Sequence, residues 1–547
     1  MPDPNLIAVD LTPVLPGGEN GGAKVFVLEL VRRLAAAHPA TRFLLLTQGT
    51  SHDELSALDA PNVERLLVVG ATPARRRVMT LAKGLLRRGA SVAPRRLAMA
   101  VARVASRLAR RRPPGPSLRD RGVDLLFCPF TAPVYREAGL PVVCTIYDLQ
   151  YRAYPQFFRP EDVAHRDQAF LAAARHASVL VAISDFARRS AGEAGRIEGH
   201  RLRTIYLRMA LRIQGAGTAD AEATLRSLGL ARDAYLLYPA NFWRHKNHEM
   251  LLTAFGIAAH GGLARERVLV CTGAPGERMT WLRQAAAALG LGDRIRFPGY
   301  VTDEQLGHLL ANARGLVFPS LYEGFGLPLV EAMAAGVPVA CSDVTSLPEV
   351  SGDAALLFDP RVPGDIAKAL LRLDADDALR ARLKEAGRRR AAEFADSVRM
   401  ADEYWSAFSD ALSGARVENC VVGVYADGWA GRRLDVEVAP APSSRRLQLE
   451  FSAPDWLPAR TVNVVARDPG RGTGDIRVAV PAGESRVLEV PLVAGGACIR
   501  IDLAPVFVPR RAGIGEDARE LSLQLRRCSV AGPEAGVEML YPEAEPR

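Results

Sequence analysis

The sequence predicts two doubly wound α/β domains followed by an all-β module of sandwich type. Three observations lead to this prediction. Apolar runs alternate with amphipathic segments through residues 1–215, the same rhythm restarts and continues through 216–415, and from 416 to 547 short strands with period two replace it. At 547 residues the chain is too long for one hydrophobic core, so two to four domains are expected.

The first domain, 1–215, is predicted from six buried strands and the helix that follows the first of them. Runs rich in Val, Ile and Leu are typical of a parallel sheet that is covered on both faces. These runs are LIAVDL, RFLLLT, RLLVVG, DLLFCP, VVCTIYD and SVLVAIS. The segment AKVFVLELVRRLAAAH reads as a helix between the first two strands, which gives the βαβ order of a doubly wound sheet.

A strongly basic insert, 71–121, interrupts the first domain. It carries fifteen Arg or Lys residues and one acid, giving +14, so the rest of the chain carries about −5 of the net +9. A helix here would place one apolar face beside a row of arginines: Leu97, Val101, Val104 and Leu108 beside Arg96, Arg103, Arg107 and Arg110.

Such a basic helix suits the surface of an anionic membrane. A solvated insert whose apolar stripe packs on its own domain is the alternative. Nucleic acid is disfavoured as a partner because the insert has no aromatic residue to stack on bases.

The second domain, 216–415, repeats the pattern after the linker-like stretch IQGAGTADAEATL. Its predicted strands are AYLLYPA, RVLVCTG, RIRFPG, GLVFPS, VPVACS and AALLFD. The third module, 416–547, alternates apolar and polar residues, which indicates antiparallel strands. Its Trp429 and Trp456 could stack on sugar rings, although a half-buried tryptophan is more often part of a core.

The composition excludes several classes of protein. No apolar stretch approaches the length needed to span a bilayer, and the start of the chain does not resemble a secretory signal. The cysteines are odd in number, scattered and without a CxxC pair, which indicates reduced thiols in a cytosol and argues against a zinc site. They are at positions 128, 144, 271, 341, 420, 498 and 528.

The segment YEGFGLPLVE, from Tyr322 to Glu331, is predicted to hold a ligand. It follows the strand GLVFPS and opens a helix, and ligands of doubly wound sheets bind at the carboxyl ends of the strands. A helix N-terminus favours phosphate, and Gly324 and Gly326 allow close approach of the backbone. Glu323 and Glu331 would repel a phosphate, so they should face hydroxyl groups. A diphosphate between a sugar and a ribose fits this pattern.

YEGFGLPLVEAMAAGVPV resembles the E-x7-E signature of retaining glycosyltransferases of the GT-B fold, family 4. Other segments of the chain resemble that family in the expected order, over about residues 5–412. They are GGENGGA (17–23), YDLQY (147–151), AISDF (182–186), WRHKNH (243–248) and GYV (299–301).

The resemblance implies glycosyl transfer from a nucleotide sugar with retained anomeric configuration. Lys246 would stabilise the departing diphosphate, with Arg244 as its helper, although residues two apart in an extended loop point opposite ways. Asp148 would contact the donor sugar, or would only cap a turn. Glu323 would bind the hydroxyls of the donor sugar, and Glu331 would bind the ribose. Further donor contacts are implied at Gly324, Phe325, Gly326, Leu327, Glu331, Val301 and Gly273, and Gly21 and Gly22 would let the first domain close on the diphosphate or acceptor.

Three departures from the family pattern affect these assignments. Tyr147 stands where members often have a histidine, and a neutral phenol is a poor base. The usual PNGV is replaced by YLRM (206–209). DAD (374–376) resembles the metal motif of the other glycosyltransferase fold, but it lies in a charged helical stretch and is interpreted as surface. No metal is expected, because the helix N-terminus and Lys246 replace one.

The resulting hypothesis is a cytoplasmic transferase on the inner face of the membrane. It would move a hexose, with GDP-mannose as the first guess, to a lipid-linked or glycan acceptor of a bacterial surface polysaccharide. One alternative is a sugar-nucleotide epimerase or hydrolase on the same frame. The other is a catalytically silent carbohydrate-binding subunit, with the β-module as its working part.

Overall fold

The computed structural model describes most of the chain. The described residues are 3–17, 20–70, 118–137, 139–213, 218–414, 419–424, 427–439, 441–468, 475–514, 520–532 and 536–541. Residues 71–117 of the basic insert lie outside them, so its helix and its membrane contact stay predictions. No helix within the described ranges is long and apolar enough to cross a membrane.

The first domain contains a seven-stranded parallel sheet. Its order is β3-β2-β1-β4-β5-β6-β7, and the last strand, of three residues, was not predicted. The strands are β1 (Leu6–Asp10), β2 (Arg42–Gln48), β3 (Val63–Val69), β4 (Leu125–Cys128), β5 (Val142–Ile146), β6 (Val179–Ala182) and β7 (Leu202–Thr204). From β1 the chain adds β2 and β3 on one side, and β4 to β7 then follow on the other side. The point between β1 and β4 is therefore the topological switch of the sheet.

Helices cover this sheet and bury its two apolar faces in separate clusters. They are α1 (Gly22–Ala37), α2 (Gln150–Ala153), α3 (Pro160–His176) and α4 (Asp185–Gly195). Helix α1 starts directly beyond the carboxyl end of β1. Its N-cap, Gly21, has a φ of 56°, which a side chain would disfavour.

The second domain contains a six-stranded parallel sheet with the order β10-β9-β8-β11-β12-β13. Its strands are β8 (Tyr235–Pro239), β9 (Val268–Thr272), β10 (Ile295–Gly299), β11 (Gly315–Phe318), β12 (Val339–Ser342) and β13 (Ala355–Phe358). Its switch point lies between β8 and β11. The prediction of a second doubly wound domain is confirmed.

Nine helices follow α4 within the described part of the second domain's sequence range, 216–415. They are α5 (Thr218–Ser227), α6 (His248–His260), α7 (Glu277–Ala288), α8 (Asp303–Asn312), α9 (Leu327–Ala334), α10 (Leu347–Ser351), α11 (Pro363–Ala375), α12 (Asp377–Ala392) and α13 (Ser397–Ser413). Short 3-10 turns lie at Glu54–Leu58, Arg119–Arg121, Pro155–Phe157, Gly199–Arg201 and Arg244–Lys246.

Helix α13 packs on the first domain, although it ends the sequence range predicted for the second. The hydroxyls of Tyr404 and Thr145 are 3.1 Å apart, and the ring of Phe408 lies 5.1 Å from that of Phe127 on β4. The apolar face of α13 therefore couples the two domains.

The DAD segment was interpreted as surface, and for Asp374 this is wrong. Asp374 is buried at the end of α11, where it accepts hydrogen bonds from Arg267 (2.7 Å) and from the backbone of Ala264 (3.0 Å). Asp376 caps α12 through the amide of Leu379. The sequence around Asp374 is rich in charged residues, and for that reason it did not indicate that one face of α11 packs inside the domain.

The C-terminal module is a sandwich of two antiparallel sheets around its own core. The sheet orders are β14-β15-β20-β17-β18 and β19-β16-β21-β22. The strands are β14 (Cys420–Val424), β15 (Ala430–Val438), β16 (Arg445–Ser452), β17 (Thr461–Arg467), β18 (Ile476–Pro481), β19 (Ser485–Leu492), β20 (Ala497–Ala504), β21 (Gln524–Gly532) and β22 (Gly536–Tyr541), with a short helix α14 (Pro509–Ala512). The predicted all-β module is confirmed.

Candidate active site

The candidate site lies at the switch point of the second sheet, beyond the carboxyl ends of β8 and β11. The basic turn Arg244–Lys246 follows β8, and the segment 319–326 follows β11. Adjacent parallel strands bring these two connections together, as expected for a ligand crevice.

The segment after β11 turns sharply into α9. Gly326 is the N-cap, with a φ of 95°, and Pro328 occupies the first turn, where its missing N–H costs nothing. A Cβ on Gly326 would lie 2.6 Å from Leu347 Cδ2, so both φ and space require glycine here. No side chain caps this helix, Pro328 has no N–H and the Leu329 amide donates to the Gly326 carbonyl at 2.9 Å, so the N-terminus of α9 offers the crevice its partial positive charge and few free amides.

Lys246 and Glu323 form an ion pair at this N-terminus. Lys246 Nζ donates to Glu323 Oε1 at 2.5 Å, and both side chains are only slightly exposed. Lys246 Nζ also lies 5.5 Å from the centre of the Phe318 ring. The structure thus brings the predicted cation and the predicted sugar-binding acid into direct contact.

Buried hydrogen bonds fix the basic turn. Asn247, in the left-handed conformation, donates its side-chain amide to the carbonyls of Pro319 (3.1 Å) and Pro360 (2.8 Å). Tyr238 donates its hydroxyl to the carbonyl of Lys246 at 2.7 Å. Since residues 244–246 form a 3-10 turn, the predicted extended conformation is wrong. Arg244 is exposed on this turn and forms no ion pair with any described residue.

Histidine side chains beside the lysine are kept neutral. Burial, with Lys246 as a further cause, lowers the pKa of His245 to about 4. Burial lowers the pKa of His248 to about 3, and its ring lies between Tyr238 and Phe242. Lys246 is therefore the positive charge that this turn presents to the crevice at neutral pH, together with the more exposed Arg244.

Glu331 lies one turn into α9 and is 2% exposed. Its Oε1 accepts hydrogen bonds from Arg212 Nε (2.8 Å), and Arg212 Nη2 lies 2.7 Å from the same oxygen. Arg212 also donates to Asp303 Oδ2 at 2.7 Å. Burial raises the pKa of Glu331, and Arg212 opposes this change. The acid that was predicted to bind the ribose, Glu331, is thus already paired with Arg212 from the connection between the two domains.

The remaining predicted donor contacts lie around the same crevice. Phe325 is buried against Phe394, so its side chain belongs to the core and only its backbone could face a ligand. A Cβ on Gly273 would lie 2.6 Å from the carbonyl oxygen of Ala240, which ties the end of β9 to the connection after β8. Val301 is partly buried and precedes the capping box of α8.

The glycine-rich loop of the first domain approaches this site across the cleft. A Cβ on Gly21 would lie 3.6 Å from Trp243 Cη2, and one on Gly22 would lie 3.9 Å from Leu327 Cδ2. The N-termini of α1 and α9 therefore face the same cleft.

Tyr147 and Asp148 follow β5 on the opposite wall. A Cβ on Gly324 would overlap the carbonyl oxygen of Tyr147, so glycine permits this contact between domains. Burial raises the pKa of Asp148, the backbone hydrogen bond from Gln150 and the charges of Arg166 and Lys246 oppose this change, and Glu323 adds a smaller increase. The Tyr147 hydroxyl has no hydrogen-bond partner among the described residues and its ring packs on Phe26, inside its own domain.

Two further contacts, which the sequence did not indicate, join the domains. Ser184 donates its hydroxyl to the carbonyl of Gly324 at 2.7 Å. Glu349 accepts hydrogen bonds from the backbone amides of Asp185 (2.6 Å) and Phe186 (2.8 Å) at the start of α4. The sequence indicated the AISDF segment only as a family motif. In the structure this segment forms hydrogen bonds with the second domain.

No group of three or more His, Cys, Asp or Glu side chains in the described ranges is arranged to hold a metal ion. The predicted absence of a metal stays a prediction.

Comparison with known proteins gives a partial family match. Residues 221–390, about a third of the chain, match the family model described as Glycosyl transferases group 1. This range contains Arg244, Lys246, Glu323 and Glu331. The narrower assignment to family 4 stays a prediction.

Two curated bacterial proteins are similar over part of their length. The chain is 34% identical over 238 residues to O-antigen chain mannosyltransferase B of Escherichia coli, covering 44% of this chain and 62% of that protein. It is 41% identical over 138 residues to the MMP alpha-(1->4)-mannosyltransferase of Mycolicibacterium hassiacum, covering 24% and 33%. This chain therefore spans less than two thirds of either relative.

Solved structures share the two-domain fold. HepE of Anabaena, in complex with UDP and glucose, has a TM-score of 0.54 at 18% identity, covering 74% of this chain and 99% of that one. Sucrose-phosphate synthase of Thermosynechococcus elongatus also has a TM-score of 0.54, at 22% identity, covering 75% and 100%. At such identities the likeness concerns the fold, and it confirms the predicted pair of Rossmann-like domains.

Proposed function

We propose that this protein is a glycosyltransferase that moves a hexose from a nucleotide sugar to a glycan or lipid-linked acceptor, with retained configuration. The ion pair of Lys246 and Glu323 at the open N-terminus of α9 is the observation that carries the proposal. The cation and the helix N–H groups suit a diphosphate, and the carboxylate suits sugar hydroxyls. Donor binding would separate the pair, since each partner would then have a ligand group of its own.

In the proposed reaction, the bond from the sugar C1 to the diphosphate oxygen breaks and a bond from C1 to the acceptor oxygen forms. The proton of the acceptor hydroxyl passes to the departing diphosphate. Lys246 and the α9 amides stabilise the charge that develops on the diphosphate, so a metal ion is not required. Asp148, across the cleft, would accept a hydrogen bond from the donor sugar.

Mannose is the proposed sugar and GDP-mannose the first donor to test, because both similar curated proteins are named as mannosyltransferases. The proposed setting is the synthesis of a bacterial surface polysaccharide at the inner face of the cell membrane, with the basic insert as the membrane contact.

The test is a panel of GDP-, UDP- and dTDP-sugars with the purified protein and an oligosaccharide acceptor. Nucleoside diphosphate release and the NMR coupling constant of the new anomeric centre are measured. We expect one donor to be consumed, in EDTA as well, with an anomeric configuration equal to that of the donor. Conversion of the donor without a glycoside product would instead favour an epimerase or hydrolase. Absence of turnover together with glycan binding would favour the silent binding subunit.

A further inference from the structure

Three aromatic side chains meet at one end of the C-terminal sandwich. Trp429 directly precedes β15, Trp456 lies in the connection between β16 and β17, and Phe507 lies between β20 and β21. Their ring centres are 5.7 Å apart for Trp429 and Trp456, 5.8 Å for Trp429 and Phe507, and 6.1 Å for Trp456 and Phe507. Three separate connections therefore converge on one aromatic cluster, Trp429–Trp456–Phe507.

The members of this cluster differ in exposure. Trp429 is 8% exposed and belongs to the core, whereas Trp456 is 52% exposed. The rings of Trp429 and Phe507 thus support the indole of Trp456, which exposes much of its surface to solvent. An indole fixed in this way can stack on a flat apolar ligand face at a low cost in side-chain entropy.

The residue directly before the exposed indole is an acid. Asp455 is exposed beside it and lies against Gly483, which the exposed ion pair of Glu484 and Arg486 follows directly. One exposed indole beside a carboxylate is a small and partly polar surface, whereas a stable protein interface buries on the order of 1,600 Å². The indole surface suits a ligand with an apolar face and hydroxyl groups around it, which is the chemistry of a saccharide ring.

The cluster also lies far from the contact between the module and the first domain. Arg136 of that domain forms an ion pair with Glu437, near the end of β15, whereas Trp429 lies just before its start. Eight residues of strand separate these positions, or about 26 Å. A glycan held at the cluster would therefore not compete for space with that domain contact.

We propose that Trp456, supported by Trp429 and Phe507, forms a carbohydrate-binding site that holds the glycan acceptor away from the catalytic cleft. The inference rests on the proposed function only for the acceptor role and for the choice of sugar in the test.

The test is isothermal titration calorimetry of the full chain with α-linked mannopentaose, and with maltopentaose as a second probe. Trp456→Ala should weaken binding at least tenfold, and Trp456→Phe should retain most of it. Trp281→Ala is the matched control, because Trp281 is 50% exposed on α7 of the second domain, and it should bind as wild type does.

Equal binding by wild type and Trp456→Ala would overturn the proposal, and so would a wild type that binds neither probe. A change in mass by light scattering for Trp456→Ala would identify an interface between copies of the chain and would also overturn it. Nucleoside diphosphate release without glycan is measured on the same proteins and should not change in Trp456→Ala. If the proposed transfer activity fails, no protein releases diphosphate, yet the calorimetry still tests the binding site.

Discussion

Two acids on the second-domain wall of the cleft have a cation partner, whereas two acids that follow strands of the first domain, Asp10 and Asp148, have none among the described residues. Glu323 pairs with Lys246 and Glu331 pairs with Arg212. Asp10, at the end of β1, is buried, and Asp148, after β5, is partly buried; neither forms an ion pair with any described residue. Burial raises the pKa of both, in the case of Asp10 to about 6.

This difference indicates which ligand group each wall can accept. A cation that faces the crevice can exchange its carboxylate partner for an anionic ligand, and the released carboxylate can then accept hydrogen bonds from hydroxyl groups. Buried carboxyl groups without a cation instead favour neutral hydrogen-bonding groups, such as hydroxyls. We therefore place the proposed donor diphosphate on the second-domain wall, and four experiments test this contrast, from the largest expected effect to the smallest.

Lys246→Met removes the cation that faces the proposed diphosphate. We expect kcat to fall by about 10²–10³-fold, as for loss of one stabilising donor in a transition state. Steady-state diphosphate release with the identified donor measures this. Lys368→Met is the control, since Lys368 is an exposed surface residue on α11. A fall of less than threefold would show that Lys246 does not stabilise the transition state of the reaction.

Arg212→Met leaves the Glu331 carboxylate buried and unpaired. The free energy of unfolding should fall by about 3 kcal/mol, because breaking a buried pair strands a charge. The double variant with Glu331→Met should recover much of this loss. Arg399→Met breaks an exposed i,i+4 pair with Glu403 and should cost less than about 1 kcal/mol. Equal losses in the two single variants, measured by urea unfolding, would contradict the contrast between buried and exposed pairs.

Asp10→Asn tests the unpaired acid of the first domain. The native pKa of about 6 exceeds the unfolded value of about 3.9, so the native state binds the proton more tightly. Wild type therefore loses up to about 3 kcal/mol of stability as pH rises from about 4 to about 6, and this loss persists above pH 6. Over that pH window the unfolding free energy of Asp10→Asn should therefore rise relative to that of wild type. A difference that is the same at pH 4 and pH 7 would show that Asp10 is not a buried uncompensated acid.

Gly324→Ala tests how closely the two walls approach. The added Cβ would overlap the carbonyl oxygen of Tyr147, so the domains would have to separate there. We expect kcat/KM to fall about tenfold, or about 1.4 kcal/mol, while each domain stays folded. Gly364→Ala is the control, since nothing lies within 4 Å of its Cβ position on α11. Unchanged kinetics in Gly324→Ala would mean that catalysis does not use this closed arrangement.

The sequence predicted the two sheets that form the walls of the cleft better than it predicted the contacts between individual side chains on them. Alternating apolar runs predicted both parallel sheets. The strand order, which only the structure shows, brings Lys246 and Glu323 together because their connections follow the adjacent strands β8 and β11. The pairing of Arg212 with Glu331 joins residues 119 positions apart, and no local pattern indicates such a contact. The 3-10 turn at 244–246 was missed for a similar reason, since bonds from Asn247 to two distant carbonyls fix it.

The side-chain amide of Asn247 has a consequence for how the site opens. It joins the connections that follow β8, β11 and β13, since Pro319 and Pro360 are its acceptors. Three strand ends are thus tied by one group: the connection after β8 cannot detach without breaking both hydrogen bonds, and those after β11 and β13 each lose one of them. In native-state hydrogen exchange, the amides of these three connections should behave as one cooperative unit with a common opening free energy, and not as three loops that fray separately.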